Sequence, residues 1–241
     1  VVAVSPLVQQ EFQTMTRTPV ELITNGYDEC DFPEGRDKDA AGGEDKDFII
    51  THTGLFAADG NPTALWETLS VICSEDDEFK TRLKIRLVGK TDAQIISAIK
   101  EAGLEENLID MGYQPHNVAV EQQREASVLI LPLRKEPEYK AVLPGKLFEY
   151  MASQRPVLGI GQPDGAMAMI LDDTRTGVTI DWEDRESLRK FILDCWNRHK
   201  KGELMTEDTD ISRFTRRNLT RRMAQLFNVI LSASEGSEKR N

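Results

Sequence analysis

Short apolar runs that alternate with amphipathic stretches constrain the fold of this chain more than any other feature. The runs are apolar at successive positions instead of at every second one, which is typical of strands in a parallel sheet that helices cover on both faces. They lie at residues 20–24, 48–53, 84–88, 108–111, 127–131, 156–160 and 177–180. The sequence therefore predicts an α/β protein with a doubly wound, Rossmann-like parallel sheet.

Apolar residues at helical spacing fill the intervals between these runs. They predict helices at residues 61–75, 91–102, 117–126, 147–154, 166–172, 186–199 and 212–232. The last helix is long and basic, and two interpretations stay open for it. Its charged side chains either form a solvated face or, as part of a crossing helix, meet a partner domain. Residues 28–47 and 133–143 are charged and lack periodicity, so both are predicted to be loops.

The chain opens on VVAVS, which has the pattern of a strand entered midway, because no capping residue or initiator methionine precedes it. We therefore expect a fragment of a longer protein whose missing part lies at least on the N-terminal side. Residues 1–19 are predicted to be the end of a preceding domain with its linker. Residues 20–211 are predicted to form the doubly wound domain, and residues 212–241 the crossing helix and tail.

Charge and composition exclude several classes of protein. The net charge of -11 opposes binding to a phosphate backbone, so nucleic acid is not expected as a partner. No apolar run approaches the ~18 residues that span a bilayer, and the start lacks the basic region of a signal peptide. The cysteines form no CxxC pair and the histidines show no metal spacing. The sequence therefore predicts a cytoplasmic protein with reduced thiols and no metal site.

Glycine-containing loops follow the predicted strands, at the edge where doubly wound sheets bind ligands. Gly54, Gly89 and Gly112 each come directly after a strand or close to its end. Glycine lets the backbone turn sharply and lets a ligand approach closely, although many such glycines serve packing alone. The candidate ligand contacts in these loops are Gly54, Gly89, Lys90, Gly112, Tyr113 and Pro115.

The segment from Pro144 to Tyr150 carries the most specific chemistry. Pro144 suits the first turn of a helix, because proline has no amide hydrogen to leave unpaired there. The amides of Gly145, Lys146 and Leu147 are then predicted to be free at the partly positive helix end, beside the charge of Lys146. These groups predict a local anion site, suited to a diphosphate, on an otherwise acidic chain.

Glu149 follows Lys146 by three residues, which places the two side chains on neighbouring parts of one helix face. A carboxylate at this place can accept hydrogen bonds from the two hydroxyls of a ribose. Phosphate on Lys146 and ribose on Glu149 would together hold a nucleoside diphosphate. The alternative is an ordinary salt bridge between two residues of an amphipathic helix.

The order of the short motifs resembles one known family. ITNGYD at 23–28, HTG at 52–54, LVG at 87–89, MGY at 111–113, ASVLILP at 126–132, KLFEYMA at 146–152 and RPV at 155–157 follow one another as its landmarks do. The chain resembles the C-terminal domain of family 4 (group 1) glycosyltransferases, which have the GT-B fold of two facing Rossmann-like domains.

This resemblance implies a retaining transferase that moves a sugar from a nucleotide-diphosphate donor to a polysaccharide, glycan or lipid-linked acceptor, without a metal or another cofactor. It also implies that a missing N-terminal domain carries the acceptor pocket and the catalytic histidine, so that this chain alone has no transferase activity. Peripheral association of the full protein with the inner membrane surface is a further, weaker expectation.

The chain departs from the family pattern at several donor-site positions. Ala141 stands where the family has the first of two glutamates, and Leu55 and Asp59 stand where it has an arginine and a lysine. Lys146 is therefore expected to take over the phosphate role. The backbone of Tyr139, Lys140 and Ala141 is the candidate sugar loop.

Two other functions remain open at this point. A GT-B nucleotide-sugar epimerase would share the fold and the nucleotide site. A non-catalytic α/β interaction module derived from a transferase would explain the lost ligands at residues 55 and 141.

Overall fold

The computed structural model describes residues 1–32, 46–204, 206 and 210–238, with only the backbone of residues 229–238. Its strands are β1 (Val2–Ala3), β2 (Glu21–Leu22), β3 (Phe48–Thr53), β4 (Leu83–Val88), β5 (Leu108–Asp110), β6 (Val128–Pro132), β7 (Val157–Ile160) and β8 (Gly177–Ile180). Its helices are α1 (Pro6–Met15), α2 (Thr63–Glu75), α3 (Asp77–Arg82), α4 (Ala93–Glu101), α5 (His116–Glu125), α6 (Gly145–Ala152), α7 (Ala166–Thr174), α8 (Arg185–Lys200) and α9 (Arg216–Glu238).

Six parallel strands form the central sheet, in the order β5-β4-β3-β6-β7-β8. The chain starts in the middle at β3, moves outward to β5, returns to β6 and continues to β8. The order of strands therefore reverses between β3 and β6, and the loops that follow these two strands diverge at that point. The prediction of a doubly wound, Rossmann-like parallel sheet is confirmed, and such a reversal is where this fold binds its ligands.

The strands β6 and β7 are buried on both faces, as their apolar runs predict, whereas buried and half-buried residues alternate along most of β4. The strands β3 and β4 pair over their whole length, from Phe48 opposite Leu83 to Thr53 opposite Val88. The pairing fixes the carboxyl ends of both strands at the same height, so the loops that follow them meet at one edge of the sheet.

The N-terminal segment differs from the prediction of a strand entered midway. Only Val2–Ala3 is extended, and it pairs with β2 in a separate two-stranded sheet. Helix α1 follows at once, with Ser5 as its N-cap and Pro6 in its first turn. Serine before proline is a helix start signal, but α1 contains no buried residue. Its apolar periodicity was therefore too weak to predict the helix from the sequence.

Three further local predictions need correction or lie partly outside the structure. Helix α3 was not predicted, although Asp76 caps it by accepting a hydrogen bond from the amide of Phe79 at 2.9 Å. Within the predicted loop at 28–47, Glu29–Asp31 forms a 3-10 helix, and residues 33–45 lie outside the described part of the chain. The loop at 133–143 likewise contains a 3-10 helix at Pro137–Ala141.

The long C-terminal helix packs its first turn against the segment that precedes the sheet. The amide of Tyr27 donates to the carbonyl of Phe214 at 3.1 Å, and the amide of Arg216 donates to the carbonyl of Tyr27 at 2.9 Å. Arg216 pairs with Asp28, and Arg217 pairs with Glu29. Part of the basic surface of α9 is thus matched by the acidic residues 28 and 29.

In the part of the chain that the structure describes, no helix combines the length and the apolarity that crossing a membrane requires. This finding agrees with the short apolar runs of the sequence, which stay well below the ~18 residues of a bilayer span.

The contact between residues 25–29 and α9 makes Gly26 a sensitive position. A Cβ atom at residue 26 would overlap the carbonyl oxygen of Phe214 and lie 2.5 Å from the Leu219 side chain. We expect Gly26→Ala to lower the free energy of unfolding by about 1–3 kcal/mol, the usual cost of overpacking. Denaturant titration followed by circular dichroism measures the change.

Gly145→Ala is the matched control, because no atom lies within 4 Å of the added methyl group. We expect its effect to stay within about 0.5 kcal/mol. Equal stability of the two variants would contradict the close packing of residues 25–29 on α9.

Candidate functional site

Backbone hydrogen bonds join the loops after β3, β4 and β5 at the carboxyl edge of the sheet. The amide of Gly54 donates to the carbonyl of Val88 at 2.6 Å, and the amide of Gly89 donates to the carbonyl of Gly112 at 2.7 Å. Gly54 and Gly89 have φ angles of +93° and +131°, and a side chain at residue 89 would overlap the backbone of Gly54. The three predicted glycines therefore lie side by side, and packing alone already requires Gly89.

The other predicted loop contacts lie around these three glycines. The carbonyl of Lys90 accepts a hydrogen bond from the amide of Phe56 at 2.9 Å, and the Lys90 side chain is exposed. Tyr113 is 87% exposed, and Pro115 is the N-cap of α5. These residues surround the open edge of the site, and among the described residues their side chains form no hydrogen bond or ion pair with Lys146 or Glu149.

Helix α6 begins at Gly145, two residues before the predicted helix at 147–154 but one residue after the predicted place of Pro144 in its first turn. Pro144 is its N-cap and lies outside the first turn. The amide of Leu147 donates to the carbonyl of Pro144 at 3.0 Å, so the prediction of three free amides is wrong for Leu147. The Leu147 side chain is fully buried in the core. Among the described residues, the amides of Gly145 and Lys146 remain the unpaired donors of this helix end.

The side chain of Lys146 lies directly over Gly54. A Cβ atom at residue 54 would overlap both the ammonium group and the methylene next to it, so only glycine leaves room for this lysine. Burial lowers the pKa of Lys146, and the charge of Glu149 opposes this shift. Within the part of the chain that the structure describes, Lys146 has no ion-pair partner. A half-buried cation without a counter-ion at the reversal of strand order is a candidate site for an anion.

Glu149 is held by residues that the sequence analysis did not identify. The Nε2 atom of Gln123 donates to Oε2 of Glu149 at 3.2 Å and to Oγ1 of Thr53 at 3.1 Å. The amide of Thr53 donates to the hydroxyl of Tyr150 at 2.8 Å, and burial raises the pKa of Tyr150 to about 12. Gln123 shares the buried face of α5 with Val120. The sequence signal for Gln123 is its position three residues after Val120, which places this polar side chain on the buried face of α5.

His52 connects the two strands between which the order reverses. Its Nδ1 lies 3.1 Å from the carbonyl of Ile130, and its Nε2 lies 3.3 Å from the carbonyl of Leu55. The centre of its ring lies 4.3 Å from that of Phe56, with the two ring planes tilted by 38°. Burial and then the charge of Lys146 lower the pKa of His52 to about 4. His52 is therefore a neutral structural group beneath Lys146.

The loop after β6 brings the predicted sugar-loop residues to the same edge. The guanidinium of Arg134 lies 5.3 Å from the centre of the Tyr139 ring, and its Nε pairs with Asp59 at 2.9 Å. Lys140 pairs with Asp164 after β7. Ala141 ends the 3-10 helix and is half-buried. The structure thus brings Tyr139 and Lys140 to this edge, where their side chains contact Arg134 and Asp164, respectively.

The two positions without the family's cations differ in their surroundings. Leu55 is 64% exposed and leaves its place without a charge. Asp59, by contrast, places a carboxylate that holds Arg134 near the opening of the site. No group of three or more histidine, cysteine, aspartate or glutamate residues with metal-binding geometry occurs among the described residues.

A model of the family described as "Glycosyl transferases group 1" matches residues 47–198, which include the whole sheet and most of α8. The chain belongs to the group 1 glycosyltransferases. This match confirms the resemblance that the ordered motifs indicated. A search of curated proteins gave no match.

Solved glycosyltransferase structures share the fold of this family member. Sucrose-phosphate synthase from Thermosynechococcus elongatus matches with a TM-score of 0.73 at 19% identity, over 97% of this chain and 58% of that protein. Anabaena HepE, solved with UDP and glucose, gives 0.70 at 15% identity, over 95% and 62%. S. aureus TarM, solved as a mutant with UDP and two glycans, gives 0.68 at 15%, over 95% and 43%. The chain thus spans roughly half the length of these proteins.

The buried neutral state of His52 predicts a dependence of stability on pH. The folded pKa of about 4 lies below the ordinary value of 6.5, so acid protonates the unfolded chain first. His52 therefore leaves stability unaffected above pH 6.5 and destabilises the fold as the pH falls toward 4, by about 3 kcal/mol in total. We expect His52→Asn to remove this part of the pH dependence, measured by denaturant unfolding at pH 7 and pH 4.5.

His116→Asn is the control with the opposite sign. The hydrogen bond to Asp31 raises the pKa of His116, so this histidine stabilises the fold below its ordinary pKa and loses that effect as the pH rises. We expect its removal to make acidification more damaging. An unchanged pH profile for His52→Asn would contradict the neutral, buried assignment.

Proposed function

We propose that this chain is the donor-binding half of a retaining glycosyltransferase. It takes a nucleotide-diphosphate sugar as donor, and the acceptor is a polysaccharide, a glycan or a lipid-linked sugar. The proposal is supported above all by Lys146, a half-buried cation without a counter-ion that lies over Gly54 at the reversal of strand order. Residues 20–211 form the proposed donor domain, and residues 212–241 the helix that returns toward an N-terminal acceptor domain.

The diphosphate is proposed to bind at the start of α6. Lys146 supplies a full positive charge, and the free amides of Gly145 and Lys146 supply donors at the positive end of the helix. Gly54 has no side chain and so leaves room for the Lys146 side chain beside the proposed phosphates. Because the chain carries a net charge of -11, these local groups must overcome its overall repulsion of anions.

The nucleoside is proposed to lie beside the diphosphate. The Glu149 carboxylate accepts hydrogen bonds from the ribose hydroxyls, and the backbone around Gly89, Lys90, Gly112, Tyr113 and Pro115 borders the base. Tyr139, Lys140 and Ala141 border the sugar. The structures of HepE and TarM both contain UDP, which supports a nucleotide ligand for this fold.

Lys146 also fits the chemistry of sugar transfer. When the bond between the sugar and the diphosphate breaks, negative charge grows on the leaving phosphate. A cation already fixed beside it stabilises that charge without reorganising. The proposed reaction needs no metal, because Lys146 and the helix end fill this role. The catalytic groups and the acceptor pocket are proposed to belong to the N-terminal domain.

The nucleotide site can be tested by titrating the chain with UDP, GDP and ADP in a calorimeter. Lys146→Met keeps the length of the side chain and removes its charge. Glu149→Ala removes the ribose acceptor. We expect each variant to bind the preferred nucleotide about 10–100-fold more weakly, the cost of one charged hydrogen bond.

Lys100→Met is the matched control, because Lys100 is an exposed lysine that pairs with Glu105 at the opposite edge of the sheet. It should leave nucleotide affinity unchanged. Absence of binding to the unaltered chain would favour a non-catalytic interaction module instead. Binding that survives both site variants would place the nucleotide elsewhere.

If the acceptor pocket and the catalytic groups belong to an N-terminal domain, as proposed, this chain alone should not transfer sugar. Incubation with radiolabelled UDP, GDP and ADP sugars, with water or simple glycosides as acceptors, should give no turnover above the background of the Lys146→Met variant. Turnover that depends on Lys146 would show that the donor half suffices for chemistry.

A further inference from the structure

We propose that Gln123 is a positioning residue that fixes the Glu149 carboxylate for ribose recognition. The inference rests on the proposed function, because it gives a role to a residue next to the nucleotide site. Gln123 lies on α5, 26 residues before Glu149, and only 1% of its surface is exposed. It reaches the site from a different helix than Lys146 and Glu149.

The amide group of Gln123 is fully used on its donor side. Its nitrogen lies 3.2 Å from Oε2 of Glu149 and 3.1 Å from Oγ1 of Thr53, so each amide hydrogen has its own acceptor. The reverse orientation would place the amide oxygen against the carboxylate, where two acceptors repel each other. The chemistry of Glu149 therefore determines which way the amide points.

Thr53 ties this amide to the most rigid part of the molecule. It is the last residue of β3 and pairs with Val88 of β4. Its amide donates to the hydroxyl of Tyr150 at 2.8 Å, and its own hydroxyl lies 3.3 Å from the same atom. Tyr150 is fully buried. The position of Gln123 is thus set by the edge of the sheet and by the core side of α6.

The Glu149 side chain depends on this amide for its orientation. The hydrogen bond from Gln123 is the polar contact that its carboxylate makes among the described residues, and Glu149 forms no ion pair with Lys146 there. One amide on Oε2 leaves Oε1 and a second lone pair of Oε2 for two hydroxyls. A fixed carboxylate with two open acceptor positions matches the neighbouring 2′ and 3′ hydroxyls of a ribose.

The other end of the same side chain argues against a purely structural role. The Oε1 atom of Gln123 is buried and has no hydrogen-bond partner among the described residues. An apolar side chain of the same length would fill this place without an orphaned oxygen, and burying an unpaired polar atom costs stability. The amide nitrogen therefore explains the presence of glutamine at this position, because it donates to both Glu149 and Thr53.

The experiment compares a nucleotide with its sugar-modified form. The affinities of UDP, GDP and ADP and of their 2′,3′-dideoxy forms are measured for the unaltered chain, Gln123→Met and Glu149→Ala. We expect the chain to bind the preferred ribonucleotide at least about 100-fold more tightly than its dideoxy form, because each of the two lost hydrogen bonds to a charge contributes about tenfold or more. In Gln123→Met this ratio should fall at least about threefold, while the midpoint of thermal unfolding does not decrease.

Gln122→Met is the matched control. It makes the same substitution one residue earlier on α5, at a half-buried side chain, and the ratio should stay at that of the unaltered chain. If Gln123→Met fails to fold, Thr53→Val removes the anchor of the amide in its place. That variant should lower the ratio in the same direction.

The outcomes separate this inference from the proposed function. A ratio that Glu149→Ala abolishes but that Gln123→Met and Thr53→Val leave intact would overturn the positioning role and leave the nucleotide site standing. An unaltered chain that binds none of the three nucleotides would overturn the proposed function itself. If Gln123→Met lowers both the ratio of ribonucleotide to dideoxynucleotide affinity and the folding stability, Gln123 has only a structural role in the core.

Discussion

Two adjacent residues at the end of β3 hold the candidate site together. Thr53 donates its amide to Tyr150 and receives a hydrogen bond from Gln123, while Gly54 leaves the space that Lys146 occupies. Helix α6 is thus tied to the sheet by the hydroxyl of Tyr150, and its Lys146 ammonium group lies over Gly54 at the carboxyl edge of the sheet. Because β3 also borders the reversal of strand order, any displacement of its last residues would move every charged group of the site.

The net charge of the chain is -11, yet several cations lie around the end of β3. Two cations of the loop after β6 are each matched by an acid: Arg134 by Asp59, and Lys140 by Asp164. Lys146 differs from them because Glu149, the other charged residue of α6, accepts a hydrogen bond from an amide instead. Lys146 is thus a half-buried cation without an ion pair among the described residues, even though the protein is acidic.

The sequence predicted the middle of the sheet well because β3, β6 and β7 are largely buried on both faces. The predicted limits of 48–53 match β3. Helix α1 was not predicted, because it buries no residue and tertiary packing therefore leaves no pattern in its sequence. Lys146 and Glu149 were found because helix ends have strict rules. The partners of Glu149 could not be found, since Gln123 and Thr53 come close only through the pairing of distant elements.

The hydrogen bonds of Tyr27 define more than the packing of a terminal helix. Its amide and its carbonyl both bond to the residues that lead into α9, at Phe214 and Arg216. The ion pairs of Asp28 and Glu29 with α9 extend this contact. The segment that enters the sheet and the helix that follows it are therefore held by one shared set of bonds. Loosening of either segment would also loosen the other, so the two ends of the domain are mechanically coupled.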